Sequence, residues 1–209
     1  MLVPLLIMAL VIIIISCGAP AKGTAEWHID EGNKMYDQGR YDEAIEEYDK
    51  AIQLAPDLAE AYSRRGSSYG QLGDYEQAMA DFNKAIELDS NYAQAYSNRG
   101  NVYFSLGDYE QAIAEHSKTI ELDPDLAKAY HNRGIAYGAL GQYQQAIADF
   151  NKVIELNPNL ANTYFVRGLI YSELGEYEEA ITDFEKVIAL SDDPFLILEA
   201  QGMIAELRD

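Results

Sequence analysis

The 209-residue sequence has a single cysteine, Cys17, so no intramolecular disulfide can staple it. Cations are scarce, with 15 Lys and Arg against 35 Asp and Glu and a formal net charge of -20. Nucleic-acid binding needs clustered cations to neutralise phosphates, and this balance excludes nucleic acid as a partner class. It also disfavours an electrostatic grip on anionic lipid. The three histidines are dispersed, no Gly-rich loop precedes a helix, and no close set of His and carboxylates has metal-ligand spacing. The chain is therefore read as non-enzymatic, with no cofactor. Runs such as Asp42-Glu43 and Glu46-Glu47 are read as a solvated helix face, and the acidity as a source of solubility and self-repulsion. At 48% hydrophobic there is ample surface for a core.

Residues 1–15 are almost wholly apolar (MLVPLLIMALVIIII) and are followed by Ser16-Cys17-Gly18. The run is shorter than the roughly 20 residues that span a bilayer, and suits the apolar region of a secretory signal peptide. Ile14-Ile15-Ser16-Cys17 resembles the bacterial lipobox. That resemblance implies a signal peptide over 1–16 and lipidation of Cys17. It also implies a lipid anchor on the extracytoplasmic side of a bacterial cell-envelope membrane. Residues 17–24, rich in small side chains, then form the lipidated Cys and a flexible linker.

From residue 25 a 34-residue unit recurs five times, over 25–58, 59–92, 93–126, 127–160 and 161–194. The cleanest copy carries Tyr130, Gly134, Tyr137, Gly141, Tyr143, Ala146, Phe150 and Pro158 as markers, and most of them reappear 34 residues away. Apolar residues recur at helical spacing on either side of a Leu-Gly turn, so each copy is read as a helical hairpin. Pro56, Pro124 and Pro158 stop the second helix. Gly66, Gly100, Gly134 and Gly168 fall inside the first helix, where glycine costs about 1 kcal/mol against alanine. That recurring cost implies a facing helix too close for a side chain. His28 and His116 stand at packing positions and are read as core-edge histidines.

The spacing W/Y-x₃-G-x₂-Y-x₃-G-x-Y-x₂-A-x₃-F-x₂-A-x₄-P resembles the tetratricopeptide repeat. The resemblance implies an all-α, right-handed superhelical solenoid of antiparallel helix pairs, its concave groove lined by the first helices. Recurring positions two, five, six, nine, twelve and thirteen would face that groove. In the first copy these include Asn33 and Tyr36, with Glu26, Ile29 and Asp30; in the second, Ser63, Arg64 and Ser67. The third supplies Asn98 and Asn101, with Gln94, Ser97 and Phe104. The fourth supplies Lys128, His131, Asn132 and Ile135, and the fifth Phe165, Val166 and Leu169 with Asn162. Asn98, Asn101 and Asn132 can bond an extended peptide backbone, since each offers donors and an acceptor. Phe165, Val166 and Leu169 suit an apolar side chain. The partners implied are proteins or peptides, gathered by a membrane-anchored scaffold.

Two expectations concern contacts between copies. Arg65, Arg99, Arg133 and Arg167 precede the mid-helix glycines, and each copy has an acid in its second helix. Pairing inside a copy would set Glu31 of the first copy against Glu47, so pairing across copies is expected: Glu47–Arg65, Asp81–Arg99, Glu115–Arg133 and Asp149–Arg167. Residues 195–209 are read as a capping helix with Leu196, Ala200, Met203, Ile204 and Leu207 on its buried face. Phe195, Ile197 and Leu198 are assigned to completing that cap. The other use for them is a dimer or partner contact, and as a homo-oligomer contact they would make the chain a self-associating structural component of an envelope assembly.

Overall fold

Every regular element of the computed structural model, which describes residues 20–208, is an α-helix. The expected signal segment and Cys17 lie outside the described residues. Five hairpins follow in order: α1 (Ala25–Asp37) with α2 (Tyr41–Leu54), α3 (Ala59–Leu72) with α4 (Tyr75–Leu88), and α5 (Ala93–Ser105) with α6 (Tyr109–Leu122). Then come α7 (Ala127–Ala139) with α8 (Tyr143–Leu156), α9 (Ala161–Leu174) with α10 (Tyr177–Leu190), and a last helix, α11 (Pro194–Arg208). Each first helix packs on its own second helix, each second helix packs on the next copy, and α1, α3, α5 and α7 touch in series. This all-α solenoid lines one side with first helices.

The hairpin turns follow from local chemistry. Gly73 takes a left-handed φ of 80°, which lets the Asp74 amide donate back to the Tyr69 carbonyl at 2.9 Å and close the helix. The Asp74 side chain then accepts from the Gln77 amide at 3.2 Å and caps the next helix. Asp108 repeats that cap with Gln111, whereas Arg40, Gln142 and Glu176 at the equivalent turns make no side-chain cap. At the amino end Thr24 caps α1 by accepting from the Trp27 amide.

The mid-helix glycines are explained by what lies over them. A Cβ on Gly66 would sit 2.9 Å from the Phe82 ring, and one on Gly134 3.0 Å from Phe150. Gly32 meets Tyr48, Gly100 meets His116 and Gly168 meets Phe184 in the same way. Tyr48, Phe82, Phe150 and Phe184 are essentially fully buried. Burying such a ring contributes about 2–3 kcal/mol, more than the glycine costs.

The charged ladder is built differently from the expectation. Arg65 Nε and Nη2 donate to both oxygens of Asp81, in its own copy, at 2.8 and 2.7 Å. Arg133 does the same to Asp149 and Arg167 to Asp183, while Arg99 donates to Glu115. None of the four expected cross-copy pairs forms. The remaining nitrogen of each Arg, Nη1, does cross to the preceding copy, but to Asp49, Asn83, Ser117 and Asn151, two residues beyond the acids expected. The supposed like-charge contact is absent because Glu31 binds Lys34 and Glu47 binds His28 and Lys50, each at 2.6 Å. The guanidiniums also lie over Tyr62, Tyr96, Tyr130 and Tyr164, 5.5–5.7 Å from the ring centres. Burial pushes the Asp81 and Glu115 carboxyls up despite their arginines. At these two acids desolvation offsets pairing, whereas hydrogen bonds of the ladder push Arg65 and Arg133 up. A buried pair of this kind is costly to break singly but adds little over a well-packed apolar pair.

Both buried side-chain atoms without a partner among the described residues, Arg99 Nε and His116 Nδ1, belong to the third copy. The longer Glu115 places both its oxygens on Arg99 Nη2, at 2.8 and 2.9 Å, and leaves Nε bare. His116, 1% exposed, fills a position taken by Phe or Tyr in the other copies. Burial pushes its pKa down from 6.5 to about 4, with Arg133 and Lys128 adding to the effect.

At the carboxyl end α11 buries Ala200 and Ile204, with Leu196, Met203 and Leu207 packed beside them, as expected of a cap. Phe195 and Leu198 do not complete the cap: they remain 81% and 67% exposed, while Ile197 is half-buried. Helical spacing puts Phe195 and Leu198 on the side of α11 opposite Ala200 and Ile204, which join the core.

Two outcomes are expected. His116 binds its proton later in the fold than in the unfolded chain, so its stabilisation is complete above about pH 6.5 and is lost as pH falls towards 4, on the order of 3 kcal/mol. His116→Phe should flatten that slope in denaturant melts at pH 7 and pH 5 and add about 1–3 kcal/mol at neutrality; an unchanged slope would reject the assignment. Separately, Asp149→Ala should destabilise by about 3–5 kcal/mol, and Arg133→Met with Asp149→Leu should recover most of that. A cost for Asp149→Ala no larger than that of Glu43→Ala at the exposed surface would show the ladder to be idle.

Candidate functional site

The side-by-side first helices bring the middle of the expected groove together. Position six of one helix reaches position nine of the helix before it. Asn98 Nδ2 donates to Ser67 Oγ at 2.9 Å, and Asn132 Nδ2 donates to Asn101 Oδ1 at 2.8 Å. Gln94 Nε2 donates to Asn98 Oδ1 at 2.7 Å. The asparagines are thus partly committed to each other. Asn101 Nδ2 and Asn132 Oδ1 have no hydrogen-bond partner among the described residues, leaving a donor and an acceptor side by side.

Around these rungs lie open polar cavities. One of about 200 Å³ is lined by Tyr36, Ser67, Gly70, Gln71, Asn98, Asn101 and Lys128, among others. A second of about 230 Å³ adjoins it, with Tyr48, Ser63, Arg64 and Gln94 on its walls. Lys128 lines both and forms no ion pair among the described residues, whereas Arg64 is held by Glu60 at 3.2 Å. A third, of about 210 Å³, lies between Asn101, Phe104, Ser105, His116, His131, Asn132 and Ile135. Burial lowers the pKa of His131, whose ring stands edge-on to Phe150 at 5.6 Å.

Other expected groove residues are spent on packing. Ile29, Ser63 and Ser97 are buried, at 5%, 1% and 1% exposed. Asn33 accepts from the Tyr48 hydroxyl at 2.8 Å. Phe165 and Leu169 pack on the Phe184 core and Val166 on the Phe150 core, so the apolar end presents only part of each side chain. Gly70, Gln71 and Ser105 line the cavities without having been singled out from the sequence, and His116, read there as a core-edge histidine, lines one as well. Gly70 carried a signal: at groove position twelve it removes a side chain, and a Cβ there would meet nothing within 4 Å. Among the described residues no group of His, Cys, Asp and Glu could hold a metal ion, and no helix is long and apolar enough to cross a membrane.

Comparison with known proteins agrees with the repeat fold. A family model described as TPR repeat matches residues 32–73, 66–107 and 100–141, and one described as Tetratricopeptide repeat matches 127–160 and 161–194. The chain belongs to the tetratricopeptide-repeat family. No curated protein matches it. Among solved structures, it is similar to MamA at 28% identity and a TM-score of 0.68, over 79% of this chain and 90% of that one. It is also similar to YrrB, described as a TPR protein with an unusual peptide-binding site, at 25% identity and a TM-score of 0.68, over 85% and 92% of the two chains. Pseudomonas aeruginosa pilF, at 19% identity and a TM-score of 0.76 over 88% of each chain, shares the fold.

Proposed function

We propose that this protein is a non-catalytic adaptor that holds an extended segment of a partner protein in its groove, tethered to a bacterial envelope membrane through lipid on Cys17. The observation that carries the binding reading is the pair of inter-repeat rungs, Asn98–Ser67 and Asn132–Asn101, at the wall of open polar cavities. An extended backbone presents alternating N–H and C=O groups, and the free donor of Asn101 and acceptor of Asn132 match that alternation. Lys128 adds one cation without an ion-pair partner among the described residues, suited to a carboxylate on the segment. The likeness to YrrB, with its peptide-binding site, supports the same use of the surface. The tether rests on the lipobox-like residues at 14–17, and the net charge of -20 argues that lipid rather than basic residues would hold the chain at a membrane.

Crosslinking in the native membrane, with identification of the bound protein, gives the segment to test. The combined substitution of Asn98, Lys128 and Asn132 by Ala is then expected to weaken binding about 100-fold, at roughly 1 kcal/mol per lost hydrogen bond. Lys128→Ala alone, which breaks no side-chain hydrogen bond or ion pair among the described residues, should weaken it several-fold with helicity unchanged. Undiminished binding by both variants would overturn the groove. The tether is tested separately by fractionation: Cys17→Ser should leave the membrane fraction, and unaltered membrane association would refute lipidation as the anchor.

A further inference from the structure

The last helix carries half of the packing unit that builds the array. In all five hairpins a glycine of the first helix lies under a ring of the second. Gly202 of α11 follows Gly168 by the same 34 residues, so α11 stands where the first helix of a sixth copy would. No second helix follows it among the described residues, and a Cβ on Gly202 would meet nothing within 4 Å. Glycine is costly in a helix interior, and no group among the described residues uses the space it leaves.

Opposite the face that packs on α10, α11 presents a second seam: Phe195, Leu198, Gly202 and Ala205, all exposed. Phe195 and Leu198 are the two most exposed large hydrophobics among the described residues, at 81% and 67%. Their spacing of three, four and three residues is that of a coiled-coil contact line. The large residues occupy its amino half and the small ones its carboxyl half. Two such helices running antiparallel, with the two-fold axis level with Ala200, set Phe195 against the partner's Ala205 and Leu198 against the partner's Gly202 in one register. A parallel pair would instead stack Phe195 on Phe195 and leave a void at Gly202. Antiparallel helix dipoles also attract.

We propose that α11 joins two copies of this chain in an antiparallel, two-fold dimer. A second copy is the fitting occupant because the seam supplies both the knob and the hole. The contact continues the interface between first and second helices already used five times, with the partner's α11 placed as a second helix is in each of those hairpins. A 15-residue helix is about 22 Å long and offers a strip on the order of 300 Å² per copy, well below the roughly 800 Å² of a stable complex. The dimer is therefore weak in dilute solution and favoured when copies are concentrated on a surface. Glu199 and Glu206 flank the seam on one side, so salt should strengthen the association.

The test uses the full chain in mild detergent, in a Cys17→Ser background so that introduced thiols are the only ones. An equimolar mixture of Leu198→Cys and Gly202→Cys chains should form disulfide-linked dimer about tenfold faster than either alone, the short helix allowing only close-range pairing. Sedimentation equilibrium should show a concentration-dependent shift from monomer to dimer that Leu198→Glu abolishes with helicity retained. Faster self-linking of Leu198→Cys would overturn the antiparallel register. Monomer alone at every concentration, or a dimer that survives Leu198→Glu, would overturn the contact itself. Linkage of Leu198→Cys only to a different protein would replace the second copy by that partner.

Discussion

A ring over a glycine is the contact from which the rest of this array follows. It sets the distance between the two helices of a hairpin, because a Cβ at Gly32, Gly66 or Gly168 would come within 3 Å of the ring. At that distance the residue before the glycine is brought opposite the acid before the ring, and Arg65, Arg133 and Arg167 close onto both oxygens of their Asp. The guanidinium is long enough to keep one nitrogen for the preceding copy. Spacing within a hairpin and register between hairpins are thus one mechanism, and stacking in that register lays the first helices side by side. The third copy shows the dependence from the other side. With His116 in place of the ring and Glu115 in place of Asp, the glycine remains but two buried nitrogens lose their partners.

The same division separates scaffold from function. Side chains that recur every 34 residues are consumed by packing, and the groove is built from positions that vary between copies. Asn98 and Asn132 belong to both sets. One part of each amide ties neighbouring first helices, and the unspent donor and acceptor of the Asn101–Asn132 pair remain beside Lys128 and the open cavities. A partner segment lying there would span several first helices and so favour their stacked arrangement.

Much of the fold was legible in the sequence because its constraints are periodic. Leu-Gly turns, mid-helix glycines and proline stops each reappear at fixed distance, and each has a local backbone or steric cause. The charged ladder was misread for a reason equally physical. Assigning pairs by avoiding a Glu31–Glu47 contact overlooked that Lys34, Lys50 and His28 lie within reach of those acids. It also treated an Arg as having one partner when its three nitrogens serve two copies. In the groove, part of the lining was identifiable from position, but the bonds among those residues were not. Whether Asn98 reaches Ser67, or Gly70 opens a cavity, depends on the separation of neighbouring first helices, which no single copy encodes. Phe195 and Leu198 looked like cap residues because exposure is a property of the finished stack.

The central claim, that a partner segment lies across the first helices, is tested most directly by site-specific photocrosslinking in the living cell. A photoreactive residue at Asn101 or Lys128 should link to one partner protein through a defined segment. The same residue at Glu46 or Glu121, exposed on second helices, should not. Equal crosslinking from both faces, or crosslinking from the second helices alone, would contradict it.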